Sequence, residues 1–107
     1  MAAAQDRVFR ALADPTRRAL LERLLREGEC TVGELTGAAR VSQPAVSKHL
    51  KLLKGAGLVR DRPAGRTVHY RAEPRALMSV AAWLRHYTGF WEERFDRLEA
   101  LLQRMDP

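Results

Sequence analysis

The sequence of 107 residues predicts a mostly helical domain with a small β-hairpin, in the order α-α-α-α-β-β-α, with a last helix that is either continuous or divided in two. Apolar residues recur at helical spacing before residue 55 and after residue 74. Two alternating segments separated by turn residues lie between these regions. The length and the composition, 46% hydrophobic and 30% charged, fit one folded domain covering residues 1–107.

The first helix is indicated by Val8, Phe9 and Leu12, which share one helical face, and it is expected to stop near Ala13. The two residues that follow, Asp14-Pro15, favour a new helix start. Aspartate can accept hydrogen bonds from the first turn, and proline suits the first helical position because it lacks an N–H.

The second helix is expected from about Thr16 to Glu27, with Gly28 supplying a left-handed stop. A third helix, about 32–38, is predicted by Thr31 and Glu34, which have the three-residue spacing of a capping box. Together these segments place three short helices in the first 40 residues.

The fourth helix is expected to begin after Ser42, with Pro44 at an early, tolerated position, and to end at Gly55-Ala56-Gly57. Val46, Leu50 and Leu53 point to one side, which predicts a face for the core. The other side is polar and basic, with Gln43, Ser47, Lys48, Lys51 and Lys54.

The hairpin is predicted from two alternating strands, Leu58–Arg62 and Thr67–Arg71, joined by the turn-forming residues 63–66. A polar, basic helix followed by a basic hairpin is typical of a winged helix-turn-helix. The DNA-binding core and wing are therefore expected within residues 14–72.

The segment from residue 74 onward is predicted to be helical, with a heptad seam and a weak point at Thr88-Gly89. Its aromatic residues, including Trp83 and Phe90, supply more apolar surface than a small core can cover, which predicts a homodimer. Residues 1–13 and 74–107 are the expected dimerisation segments. The predicted interface residues are Val8, Phe9, Leu12, Leu77, Leu84, Trp91, Phe95, Leu98 and Leu102.

The basic charge is concentrated in one stretch. The chain has a net charge of +6 and a pI of about 10.4. Residues 40–72 have a balance of +7, whereas residues 1–39 balance to zero and residues 73–107 to −1. Because this stretch holds the elements that would enter a groove, double-stranded DNA is the expected partner.

The fourth helix is expected in the major groove, with Gln43 hydrogen-bonding a base edge and Ser47 and Lys48 beside it. The tip residue Arg66 either contacts a phosphate or enters the minor groove. For His49 a structural hydrogen bond and a phosphate contact both remain open. The predicted DNA-binding residues are Arg40, Ser42, Gln43, Pro44, Ser47, Lys48, His49, Lys51, Arg62 and Arg66.

Several functional classes lack support in the sequence. Cys30 is the only cysteine, and we expect it to be a buried residue. The three histidines have no other ligand residues at metal-binding spacing, so no metal or cofactor is expected. No phosphate loop or catalytic constellation favours an enzyme. With no signal peptide and no apolar run near the 20 residues that span a bilayer, no membrane association and a cytoplasmic location are expected.

The chain resembles the ArsR/SmtB family of bacterial winged-helix repressors along nearly its whole length. The motifs that carry the likeness are Leu12-Ala13-Asp14-Pro15-Thr16-Arg17, Thr31-Val32-Gly33-Glu34-Leu35, Ser42-Gln43-Pro44-Ala45-Val46-Ser47-Lys48-His49-Leu50, and Gly57-Leu58-Val59 leading into Gly65-Arg66. The resemblance implies a homodimer formed through the first and last helices, a recognition helix starting near Ser42, and repression relieved by a signal.

The resemblance also predicts a branch without the usual metal sites. Metal-sensing members carry a Cys-x-Cys pair where this chain has Thr31 and Gly33, and the last helix offers only His86. The resemblance therefore does not identify the signal that relieves repression, which could be an unknown small-molecule effector. Two alternatives remain: a metal- or thiol-responsive sensor that uses Cys30, and a winged-helix module that binds protein.

Overall fold

The computed structural model describes residues 2–105, which form six α-helices, three short strands and one 3₁₀ segment. The first four helices and a short strand form the amino-terminal half, and a hairpin, the 3₁₀ segment and two helices follow. In order, the elements are α1 (Ala2–Leu12), α2 (Pro15–Glu27), β1 (Cys30–Thr31), α3 (Val32–Ala39), α4 (Gln43–Gly55), β2 (Val59–Ala64), β3 (Thr67–Ala72), the 3₁₀ segment (Pro74–Leu77), α5 (Met78–Arg85) and α6 (Thr88–Met105). The predicted order of helices and hairpin is confirmed.

The core is formed by one face of each of the first four helices together with the start of β2. All of its buried residues are apolar within the described part of the chain. Helix α4 contributes three side chains with no exposed surface, Val46, Leu50 and Leu53. The others are Val8, Ala11, Leu20, Leu21, Leu24, Cys30, Leu35, Leu58 and Val59.

The helix starts are fixed by the side chains that the sequence indicates. The Asp14 carboxylate accepts a hydrogen bond from the Arg17 backbone N–H at 3.0 Å, and this bond lowers the pKa of Asp14. Thr31 and Glu34 form the reciprocal capping box, with bonds of 3.0 and 3.2 Å. Ser42 accepts from the Ala45 N–H at 3.3 Å at the start of α4.

The turn between α3 and α4 contains a feature that the sequence does not indicate. Arg40 has φ +56° and ψ +26°, and it is the only non-glycine residue with positive φ among residues 2–105. This left-handed residue closes α3 and allows α4 to begin three residues later. Gly28 also has positive φ, but its ψ of −152° lies outside the predicted left-handed helical conformation.

The sheet has three strands in the order β1-β3-β2, and both pairings are antiparallel. Strand β1 was not predicted, because two residues are too few to show alternation. The wing turn is tighter than expected: Ala64 pairs with Thr67, so only Gly65 and Arg66 lie between the strands. Gly65 has φ +63°, as two-residue hairpin turns commonly require.

The carboxyl-terminal region extends away from the core. The helical segment is divided at His86-Tyr87, just before the predicted weak point, and every residue from 81 to 105 is exposed. The radius of gyration is 18.2 Å, whereas a compact chain of this length has one of about 13 Å. None of the described helices has the length and apolar character needed to cross a bilayer.

Two adjacent leucines of α2 test the assignment of the core. Leu24 is 2% exposed and Leu25 is 43% exposed. Leu24→Ala is expected to lower the free energy of unfolding by about 2–5 kcal/mol, because it leaves a cavity among well-packed side chains. Leu25→Ala, the matched control, should lower it by less than about 1 kcal/mol. Urea unfolding at one protomer concentration measures both, and equal losses would contradict this core.

Candidate nucleic-acid interface

Helix α4 presents a polar and cationic surface opposite its buried face. Gln43, Pro44, Ser47, Lys48 and Lys51 are all exposed. Pro44, Ser47, Lys48 and Lys51 lie on the side of the helix away from the core leucines, whereas Gln43 is exposed because it lies in the first turn. Ser42 and Arg40 are also exposed, at the entrance to the helix. Seven of the predicted DNA-binding residues therefore come together on one surface.

A groove of about 410 Å³ separates this surface from the wing. It is lined by Ser47, Lys48 and Lys51 from α4 and by Tyr70 from β3. Across it, the Lys54 Nζ lies 3.1 Å from the Asp61 carboxylate. This ion pair ties the end of α4 to β2, so it holds the wing beside the helix.

The wing arginine Arg62 is engaged within the chain. Its Nε and one terminal nitrogen donate to the same Glu29 oxygen at 2.9 and 2.6 Å, and the His69 Nδ1 lies 3.5 Å from that oxygen. Sequence reasoning predicts Arg62 as a phosphate contact but misses Glu29. No local pattern could have revealed a partner 33 residues away. At the tip of the wing, Arg66 is exposed.

His49 faces inward to the start of α2 and away from the exposed surface of α4. Its Nδ1 lies 3.4 Å from an Arg17 nitrogen and 3.9 Å from the Asp14 carboxylate. Arg17 also donates to the Ala11 and Arg10 carbonyl oxygens at 2.8 and 3.2 Å. These contacts correspond to the structural role left open for His49; a direct phosphate contact stays a prediction.

The predicted dimer-interface residues fall into two groups. Val8 is buried in the core of its own chain, and Leu12 and Leu77 are partly buried against that core. Phe9 packs edge-to-face on Trp83, with 5.5 Å between the ring centroids. The other five are exposed on α5 and α6: Leu84, Trp91, Phe95, Leu98 and Leu102. Leu101 is equally exposed, although it lies outside the predicted heptad seam.

Cys30 is shielded from solvent. It is 3% exposed, its Sγ donates to the Gly28 carbonyl oxygen at 3.5 Å, and burial raises the pKa of the thiol. A raised pKa lowers the fraction of reactive thiolate at neutral pH. Within residues 2–105, no three His, Cys, Asp or Glu side chains are grouped as metal ligands.

Comparison with known proteins identifies relatives of one kind. Residues 14–61 match the family model described as bacterial regulatory protein, arsR family. An HTH-type transcriptional regulator of Mycobacterium tuberculosis is 49% identical over 90 residues, covering 79% of this chain and 83% of that protein. The arsenical resistance operon repressor of Escherichia coli is 34% identical over 99 residues, covering 92% and 81%.

Solved structures show the same architecture. An ArsR family transcriptional regulator has a TM-score of 0.77 at 37% identity, covering 86% of this chain and 94% of that one. The homodimeric winged helix-turn-helix DNA-binding domain of a Mycobacterium bovis protein has a TM-score of 0.67 at 27% identity, covering 81% and 82%. The winged helix-turn-helix fold predicted from the sequence is confirmed.

The Glu29–Arg62 pair yields a test of the wing. Glu29→Gln should tighten binding to duplex DNA a fewfold and steepen its salt dependence by up to about one unit, because Arg62 is freed for a phosphate. Fluorescence anisotropy across a salt series measures both. Glu27→Gln is the matched control, since Glu27 pairs with Arg23 on α2. Equal effects of the two variants, or an effect of Glu29→Gln that persists with Arg62→Gln, would contradict this role.

The shielding of Cys30 yields a second test. In the folded protein the thiol should react with iodoacetamide at least about tenfold more slowly than in denaturant, because it is buried and its pKa is raised. Mass spectrometry of timed samples measures the rate. Rapid modification of the folded protein, with loss of DNA binding that Cys30→Ser prevents, would instead support a thiol sensor.

Proposed function

Because the chain belongs to the arsR family of bacterial regulatory proteins, we propose that it represses transcription by binding an inverted-repeat operator as a homodimer. Members of this family are DNA-binding transcriptional regulators, a class without enzymatic activity. The observation that carries the proposal is the exposed face of α4, which is polar and cationic and lies beside a basic wing. For such a regulator the site of action is the cytoplasm.

The proposed base-reading residue is Gln43, at the first position of α4. The amino-terminal end of a recognition helix reaches deepest into the major groove, and glutamine can form paired hydrogen bonds with adenine. Ser47 lies one turn further along the same face, and Lys48 reaches either a guanine edge or a phosphate. Pro44 belongs to this contact surface by its position between Gln43 and Ser47.

The proposed phosphate contacts are Arg40, Ser42, Lys51 and Arg66, which surround the base-reading surface. Arg66 at the wing tip has two alternatives, a phosphate or the minor groove. Arg62 joins this group only by leaving Glu29. His49 acts indirectly in this scheme, since its contact with Arg17 links α4 to the start of α2.

The proposed dimer buries the apolar side chains of α5 and α6. Their exposed aromatic and aliphatic residues form an apolar surface that a monomer would leave in water. Residues 1–13 and 74–107 are assigned to dimerisation and residues 14–72 to DNA binding. A twofold dimer presents its recognition helices to successive major grooves, about 34 Å apart, so the operator is an inverted repeat.

The signal that releases the operator is left undefined by these residues. A metal- or thiol-responsive sensor would need an accessible ligand set, whereas Cys30 is buried and no three His, Cys, Asp or Glu side chains among residues 2–105 are placed to hold a metal ion. A purely protein-binding module would not need a cationic recognition helix. Neither alternative is favoured by a specific observation.

Selection of genomic fragments by the purified protein, followed by a salt titration on the best duplex, tests the proposal. We expect an inverted-repeat motif. Gln43→Ala should cost about 1–3 kcal/mol and relax the preference at one base position, and Lys48→Ala should weaken binding and lower its salt dependence. Arg26→Ala, an exposed cation on α2, is the control and should change little. Selection of no motif, with weak binding even at low salt, would refute the proposal.

A further inference from the structure

A second basic groove lies between α1, the start of α2 and the carboxyl-terminal half of α4, with a volume of about 420 Å³. Four cationic side chains line it, Arg7, Arg10, Arg17 and Lys51, and no carboxylate does. Among residues 2–105, none of these four cations forms an ion pair with a carboxylate. The Asp14 carboxylate lies near Arg17, so the positive charge that the groove offers to a ligand comes from Arg7, Arg10 and Lys51.

Its floor is apolar. Ala11 is buried beneath it, and Leu52 of α4 and Ala56, the residue after α4, line one wall. Leu52 is half exposed, so a bound molecule with an apolar body would remove its surface from water. A phosphodiester of DNA has no such body and would cover this floor without an equivalent gain. The combination fits a small molecule that is anionic at one end and apolar elsewhere.

The groove shares a side chain with the candidate DNA interface. Lys51 lines this groove and also the one between α4 and the wing. A lysine has a flexible stem and one charge, so it can neutralise a ligand anion or an operator phosphate but not both at full strength. A ligand in the groove would therefore lower the affinity for DNA, and bound DNA would lower the affinity for the ligand.

Dimerisation through α5, α6 and the flank of α1 that carries Phe9 would leave the groove accessible. Gln5 and Phe9 lie on the flank of α1 that meets α5, where Gln5 donates to the Ser79 carbonyl oxygen at 3.2 Å and Phe9 packs on Trp83. Arg7 and Arg10 lie on the other flank, toward α4. A ligand could enter without separating the two protomers.

We propose that this groove is the effector site and that it binds a small amphipathic organic anion, a carboxylate or phosphate head on an apolar body. The head group pairs with Arg7, Arg10 and Lys51, and the body covers Leu52. Binding withdraws Lys51 from the operator and weakens the complex. The regulatory step rests on the proposed function, whereas binding of the anion does not.

Calorimetry of the full-length protein without DNA tests the site. Decanoate and decyl phosphate, below micelle-forming concentrations, should bind once per chain, while decylammonium and acetate should not. Arg10→Gln and Leu52→Asn should each weaken decanoate binding at least about fivefold, and Arg26→Gln, the charge-matched control, should leave it unchanged. Circular dichroism verifies that the variants fold. Equal binding of decylammonium, or no effect of either groove variant, would overturn the site.

Anisotropy on the selected duplex tests the coupling. Saturating decanoate should weaken operator binding roughly tenfold and lower the salt slope by up to about two units per dimer, since one lysine per protomer is withdrawn. Lys51→Gln should remove most of this effect. Decanoate binding without a change in DNA affinity would overturn the coupling. If Arg10→Gln weakens operator binding when no ligand is present, Arg10 contacts a DNA phosphate, and the groove belongs to the DNA interface instead of an effector site.

The two proposals fail in distinguishable ways. If neither anionic probe binds while the operator complex is intact, the effector site is wrong and the proposed function stands. If no duplex binds under any condition while decanoate binds as expected, the proposed function fails and the site remains.

Discussion

The buried face of α4 is the constraint on which the DNA-binding half of the molecule depends. Val46, Leu50 and Leu53 have no exposed surface, so they fix the rotation of the helix about its own axis. Once that rotation is set, the residues on the opposite face must point to solvent, whatever their chemistry. The capping bond of Ser42 fixes where the helix begins, and with it the depth at which Gln43 would reach a groove. Apolar packing thus decides which polar groups are available to DNA.

The contacts around α4 then fix the elements next to it. Lys54 and Asp61 link its end to the wing, and His49 links its middle to the start of α2. Each of these surface contacts contributes little to stability, on the order of 0–1 kcal/mol. They act instead on geometry, because a displacement of 1 Å at the recognition helix would misalign every base contact at once. The same argument gives a role to the half-buried His49, which lies on the side of α4 that faces α2.

The sequence was informative for most structural features that depend on neighbouring residues, although it missed the conformation of Gly28 and the length of the wing turn. Helix caps, the periodicity of α4 and the hairpin are local, and the residues that encode them lie within a few positions of one another. Strand β1 escaped prediction because it exists only through pairing with β3, about 40 residues away. The left-handed Arg40 escaped because nothing in an arginine indicates positive φ; the connection between α3 and α4 imposes it. Among the predicted interface residues, Val8 shows a related limit, since periodicity identifies an apolar face but not whether that face meets the same chain or another.

Long-range pairing also changes the meaning of the charge distribution. The balance of +7 for residues 40–72 counts Asp61 alone as an acid, yet Arg60 and Arg62 pair with Glu73 and Glu29 from outside that stretch. With Lys54 on Asp61, three of its eight cations have partners in the described structure. Such exposed pairs are weak, so a phosphate could displace Glu29 from Arg62. The cations of this stretch that form no such pair in the described structure are Arg40, Lys48, Lys51, Arg66 and Arg71. The cationic charge that is open to a polyanion is therefore spread over α4, its entrance and the wing, and the net balance alone does not show which cations are engaged within the chain.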